Sequence, residues 1–341
     1  MLEVCAHLRG NVALSKEAFV APEDIAINLD LSDVIGQHHA KRALEIAAAG
    51  EHNLLLIGPP GTGKTMLASR LPGILPQLTD AAALEVAAIF SVAGHGLRAD
   101  FHQSPFRAPH HSASATALAG GGSMARPGEI SLAHCGVLFL DELPEFPRQA
   151  LEMLREPLES GEIIIARIRA QTRYPARFML VAAMNPCPCG YLGSSRCRCT
   201  PDQVRRYRDR ISGPLLDRID LQVPVLAVPR EQLTAASVTG ASSAETRSRV
   251  TVARERQLCR QGKLNNGLTG QQLKQYCPLN RDQQRLLDNA IDKLGLSARA
   301  YHRILKVARS IADLESDDAI DNGHIAEALS FRLADKGSHH P

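Results

Sequence analysis

The string GPPGTGKT, Gly58 to Thr65, has residue types and spacing that suit phosphate chemistry. In such a loop the backbone N–H groups of Gly61 and Gly63 curl around phosphate oxygens, Lys64 reaches the terminal phosphates and the Thr65 hydroxyl is offered to Mg²⁺. Gly58, Pro59, Pro60 and Thr62 complete the cradle. Further on, GVLFLDE (136–142) is an apolar run ending in two carboxylates. Asp141 is thereby expected near the Mg²⁺, and Glu142 where a base can polarise an attacking water. Asn185 follows the run VAAM and has an amide suited to orient that water or touch the γ-phosphate. By itself, an Asn before Pro186 is as readily a turn residue. The chemistry implied is in-line attack of water on the γ-phosphate of ATP.

Four more chemically competent residues, Cys187, Cys189, Cys197 and Cys199, fall in a glycine- and arginine-rich stretch directly after Asn185. Four thiolates so close in sequence can close a tetrahedral Zn²⁺ site. The C-x-C spacing is less typical than C-x-x-C, and ordinary reduced cysteines or a redox-labile pair remain open readings. Cys5, Cys135, Cys259 and Cys277 are scattered and read as structural. His110 and His111 suit loop packing or pore lining better than a metal. From Arg167 to Arg218 there are eleven arginines against three acids and no lysine, a charge of +8 in a chain whose total is +3. A segment so one-sided, and so rich in the phosphate-matching guanidinium, suits a polyanion, with nucleic acid first in line.

These residues need elements to hold them. The apolar runs Asn53–Ile57, Val137–Leu140, Phe178–Ala183 and Ile219–Val225 read as buried parallel strands separated by helical stretches, which makes an α/β sheet with helices on both faces. An alanine-rich helix precedes the first strand. The Ala-, Ser- and Thr-rich stretch near Leu233–Glu245 reads as a linker, and the patterns beyond it are purely helical to about Leu333. The expected organisation is a lead segment over 1–32, a sheet domain over 33–230, a linker over 231–245, a small helical lid over 246–335 and a tail over 336–341. At 341 residues and 44% apolar composition, a sizeable core is expected. No apolar run reaches the roughly 18 to 20 residues that span a bilayer, and the N-terminus lacks export features, so the chain reads as cytoplasmic with no membrane partner.

In combination these strings resemble AAA+ ATPases of the Mg-chelatase-like group, and within it the competence-associated YifB/ComM family. The likeness is carried by DVIGQHHAKRALEIAAAG (33–50), the phosphate-loop string (53–76), FRAPHHSASATALAGGG (106–122), RPGEISLAHCGVLFLDELPEF (126–146), VAAMNPCPCGY (181–191), ISGPLLDRIDLQV (211–223) and SARAYHRILKVARSIADL (297–314). It implies a P-loop sheet domain followed by an all-α lid, and a homohexameric ring with nucleotide between subunits. Arg218 of LLDRID would be the arginine finger given to a neighbour, and Arg299 of SARAYHR the second sensor on the lid. From the residues alone, Arg218 is as readily a salt-bridge partner of Asp217 or Asp220. The resemblance also implies an insert over about 104–129 and a hairpin over about 162–177 facing a central pore, with Arg167 and Arg169 as phosphate contacts to single-stranded or branched DNA. Solvated arginines are the plainer alternative there. The implied activity is a branch-migration helicase in natural transformation; a motor that remodels a protein partner, as in metal-chelatase assemblies, is the alternative. Members of the family carry a Lon-protease-like domain before the ATPase, and only some thirty residues stand there in this chain.

Overall fold

Alternation within each strand explains the architecture. The computed structural model describes residues 29–96, 100–122, 125–166, 171–229 and 240–332, together with His7, Arg9, Gly10 and Ala13. Its main sheet contains β1 (Leu54–Ile57), β2 (Phe106–Arg107), β5 (Gly136–Leu140), β8 (Phe178–Met184) and β9 (Leu221–Pro224), in the order β2-β5-β8-β1-β9, all parallel. Successive side chains point to opposite faces. Leu54, Leu56, Val137, Phe139, Val181, Ala183 and Val223 enter one buried cluster, while Leu55, Leu138, Leu140, Leu180 and Ala182 enter the other. With both faces covered, each strand can be apolar throughout, which is why the runs show no alternation in sequence.

The expected four strands are all present. The fifth, β2, was not expected: it is two residues long between Pro105 and Pro109 and carries no periodic signal. It makes Arg107 an edge-strand residue at the root of the insert. The insert holds a short helix, Ala115–Ala119, and a small antiparallel ribbon of β3 (Gly120–Gly121) and β4 (Arg126–Pro127). Its two ends are clamped where Arg107 donates to both carboxylate oxygens of Glu129 at 2.6 and 2.7 Å. The expected hairpin is formed by β6 (Glu162–Ala166) and β7 (Gln171–Pro175), in register from Glu162 opposite Pro175 to Ala166 opposite Gln171. Arg167 and Arg169 lie outside the described residues, as do 230–239 in the linker, most of the lead segment, and the tail.

Helices before and after the sheet share one face of it. Helix α1 (His38–Gly50) buries Ala40, Ala43, Leu44, Ala47 and Ala48. Next come α2 (Lys64–Ser69), α3 (Asp80–Ala93) and α4 (Pro201–Arg208), and then the C-terminal helices α5 (Ser243–Gln261), α6 (Gly270–Tyr276), α7 (Arg281–Leu294), α8 (Ala298–Leu314) and α9 (Asn322–Ser330). Reciprocal capping boxes fix the starts of α4, α5, α7 and α9 through Thr200–Gln203, Ser242–Glu245, Asn280–Gln283 and Asp321–His324. The first of the C-terminal helices starts inside the stretch expected to be linker. Val250, Leu287, Ile304 and Phe331 join the same buried cluster as Leu54 and Val181. The helical part is therefore continuous with the core on the α1 face.

Candidate active site

In a parallel sheet all the loops that follow strands emerge at one end, called here the head, and those that precede strands lie at the foot. The phosphate loop leaves β1 at the head. The Gly58 N–H donates to the Met184 carbonyl at 3.1 Å, tying the loop to the end of β8, and a Cβ on Gly58 would run into the Val225 carbonyl. Gly61 and Gly63 take φ of 77° and 86°, in the left-handed region that favours glycine. Thr62 closes the turn by donating to the Pro59 carbonyl at 3.0 Å. Gln37, itself at φ 52°, buttresses the loop from α1 by donating to the carbonyls of Thr62 (3.3 Å) and Leu226 (2.6 Å). Nothing in the sequence marked Gln37 beyond the turn at Gly36.

Lys64 opens α2 and folds back across the loop. Its Nζ donates to the carbonyls of Gly58 (2.7 Å) and Pro59 (2.9 Å) and to the Asn185 amide oxygen at 3.2 Å. Burial lowers its pKa, while the charges of Asp141 and Glu142 pull the other way. Thr65 Oγ1 donates to Asp141 Oδ2 at 2.6 Å. Neighbouring ligands of an octahedral Mg²⁺ lie about 2.9 Å apart, so this pair of hard oxygens fits such a cation with little movement. Glu142 sits at φ 53°, and its N–H donates to Asp141 Oδ1 at 2.9 Å. The turn directs the two carboxylates differently, one to Thr65 and one away from it.

What receives Glu142 is His111, whose Nδ1 lies 3.1 Å from Glu142 Oε2. The His110 ring packs on that of His111 with centroids 4.1 Å apart. Both follow β2, and Phe106 of that strand stacks on Phe139 of β5. A cavity of about 360 Å³ is lined by Thr65, Asp141 and Glu142 together with this histidine segment. The sequence reading missed the role of His111 because β2 gave no signal; the proximity of FRAPHH to an unexplained insert was the only clue.

The foot holds the remaining candidates. Arg218 precedes β9, whose Leu221 is in register with Leu54 at the start of β1. Arg218 therefore has its backbone at the opposite end of the strands from the loop that carries Lys64. It is buried, donates from Nη1 to the Pro214 carbonyl at 2.6 Å and pairs with Glu159. Asp217 and Asp220 are not its partners; Asp220 instead pairs with Arg303 at 2.5 Å. Arg299 is exposed in the first turn of α8, one turn before Arg303, which places it toward the foot as well. One chain thus brings together Lys64, Thr65, Asp141, Glu142 and Asn185, and leaves Arg218 and Arg299 apart from them.

The four cysteines do converge. Cys187 Sγ lies 3.4 Å from Cys189 Sγ and 3.9 Å from Cys197 Sγ, Cys189 and Cys197 are 3.7 Å apart, and Cys199 joins them within 4.8 Å. Backbone N–H groups of Arg198 and Tyr191 draw the Cys189 thiol down to about 6. At Cys199 the Cys189 backbone favours the thiolate, but desolvation and the neighbouring thiols outweigh it and push the group up to about 12.

The profile of magnesium chelatase subunit ChlI matches residues 30–233, and that of the ChlI C-terminal part matches 240–332. The chain belongs to this Mg-chelatase-like AAA+ family. The two matches correspond to the parallel-sheet part and the helical C-terminal part. Among its relatives, the uncharacterized protein YifB of Escherichia coli is 54% identical over 334 residues, covering 98% of this chain and 66% of YifB. Competence protein ComM of Haemophilus influenzae is 52% identical over 341 residues, 97% of this chain and 66% of ComM. The uncharacterized protein Rv2897c of Mycobacterium tuberculosis is 46% identical over 332 residues, 95% and 66% respectively. The chain therefore spans just under two thirds of the length of these relatives. Among the described residues, no helix is long and apolar enough to cross a membrane.

Proposed function

We propose that this chain is an ATP hydrolase that works as a homohexameric ring on DNA, a branch-migration helicase acting on recombination intermediates during natural transformation. The observation that carries the reading is the division of the catalytic set: Lys64, Thr65, Asp141, Glu142 and Asn185 meet at the head, while Arg218 waits at the foot. A site missing its cation at one end of the sheet and offering one at the other is completed when a second copy stacks head to foot. Such head-to-tail contacts close into rings.

ATP and Mg²⁺ are the cofactors of this reading, with Zn²⁺ on the four-cysteine loop as a structural third. Thr65 and Asp141 would hold Mg²⁺, which when bound neutralises charge on the β- and γ-phosphate oxygens. Glu142 accepts the proton of the attacking water, and Asn185, anchored through its oxygen on Lys64, turns its N–H₂ toward that water or the γ-phosphate. Lys64 and a neighbour's Arg218 stabilise the charge that builds on the transferring group, where arginine fingers contribute about 10³ to 10⁵ in rate. Arg299, which is exposed, would sense the nucleotide across the same junction. DNA as substrate is supported by the run of arginines from 167 to 218, which includes Arg167 and Arg169, and by the likeness to Competence protein ComM.

A mixing experiment tests the assembly. Lys64→Ala and Arg218→Ala are each expected to hydrolyse almost nothing alone; mixed, they regain activity, because some junctions pair an intact loop with an intact finger. No recovery on mixing would sink the shared site. Native turnover is expected to rise with protein concentration and again with single-stranded or branched DNA. A rise with concentration that ignores DNA, with stimulation by a polypeptide instead, moves the conclusion to the protein-remodelling reading.

A further inference from the structure

Between β8 and α4 the chain runs from Cys187 to Cys199 through turns, with no helix or strand, and buries only Cys187 and Gly190. A loop of this length with so little apolar burial has nothing of its own to offset the conformational entropy of ordering it. Yet it is ordered against the most demanding part of the molecule. Asn185, two residues before it, bonds Lys64. Gly190, at φ 84°, lies so close to Pro60 of the phosphate loop that a Cβ would run into the proline ring. From the far side, α4 returns to the same place: Arg208 donates to the Pro186 carbonyl at 3.3 Å.

The sulfurs supply what the loop lacks. Four thiolates at about 2.3 Å from a tetrahedral Zn²⁺ stand about 3.8 Å from one another, and the spacings of 3.4, 3.9 and 3.7 Å bracket that value. An all-cysteine set leaves no open position, which is the arrangement of a structural site. Neutral thiols would gain only weak sulfur contacts from such convergence, with no gain to balance the ordering of thirteen residues of which only two are buried.

We infer that Cys187, Cys189, Cys197 and Cys199 hold a Zn²⁺ ion that fastens this loop onto Pro60 and Asn185, so that zinc loading sets how tightly the chain holds nucleotide. The coupling rests on the ATP site proposed above. It assigns Gly190 as the contact through which the clip presses on the phosphate loop.

The test uses the full chain purified under reducing conditions without chelator, with its zinc measured by elemental analysis and its affinity for a fluorescent ATP analogue measured against Lys64→Ala as the blank. About one zinc per chain is expected. Stripping it with a thiol reagent and chelator, or replacing Cys197 and Cys199 together by Ser, is expected to weaken nucleotide binding roughly tenfold, the scale of losing one or two loop-fixing hydrogen bonds. Far-UV circular dichroism should stay native, and Zn²⁺ with reductant should restore affinity to the stripped chain but not to the double variant. Gly190→Ala, which keeps all four thiols, should retain zinc and still bind nucleotide less tightly. Zinc below a tenth of an equivalent, or removal that leaves affinity unchanged, overturns the inference. A native chain that binds nucleotide no better than the blank overturns the ATP reading, and the coupling with it, whatever its zinc content.

Discussion

The two ends of the sheet are built from similar residues under opposite rules. At the head, Asp141, Glu142 and His111 are at least partly accessible, Lys64 is buried, and each holds partners that a phosphate or a cation can replace. At the foot, Asp220 is buried and fully committed: it accepts from the Asn53 N–H at 2.8 Å and from Arg303 at 2.5 Å, with His52 Nδ1 at 3.8 Å. His52 in turn meets Ser310 Oγ at 2.7 Å, so this knot joins β1 and β9 to α8. Burial opposes the charge on Asp220, but Arg303, His52 and the Asn53 backbone outweigh it and keep its carboxyl below the usual range. The lesson is that charge placed for chemistry is left exchangeable, and charge placed for architecture is sealed. Substitutions at the head should therefore change turnover with little effect on folding, and those in the Asp220–Arg303–His52 knot the reverse.

The largest expected effect is Glu142→Gln, which removes the proposed base and should cut ATP turnover by about 10² to 10⁴. Nucleotide binding and the unfolding midpoint should stay near native; continued hydrolysis would show that Glu142 is not the base. At the other end, Asp220→Asn takes the buried anion away from Arg303 and His52 and should cost about 3 to 5 kcal/mol in urea unfolding. A loss under 1 kcal/mol would mean the foot is not the sealed end described here.

Acid should act on the foot through His52. Burial is the main cause of its pKa falling to about 4; Asp220 raises it, and Lys306 and Arg303 lower it further. Because the folded value lies below the unfolded one of about 6.5, the unfolded chain binds the proton first. This contribution is complete above pH 6.5 and is lost as pH falls toward 4, up to roughly 3 kcal/mol. Comparing unfolding of native chain and His52→Gln between pH 7.5 and 5 isolates it; parallel curves would remove His52 as the cause. The smallest effect is expected from His111→Ala, about fivefold in kcat with KM little changed, since one close polar contact on Glu142 is worth about 1 kcal/mol. An equal change in KM would place His111 in binding instead.

Sequence alone made the phosphate loop, the Asp141–Glu142 pair and four of the five main-sheet strands legible. Each is a local pattern, because a cradle for phosphate needs adjacent backbone groups, and a strand covered on both faces must be apolar along its length. The C-terminal part was legible as helical for the same reason. Its position was not: α8 is fastened at the foot by Arg303 and Asp220, 83 residues apart. Strand order, the two-residue β2 that brings His111 to Glu142, the pairing of Arg218 with Glu159, and the meeting of Gly190 with Pro60 were likewise decided only in three dimensions. Each depends on contacts between residues distant along the chain, and neither periodicity nor spacing specifies which surfaces will face one another once both sides of the sheet are covered.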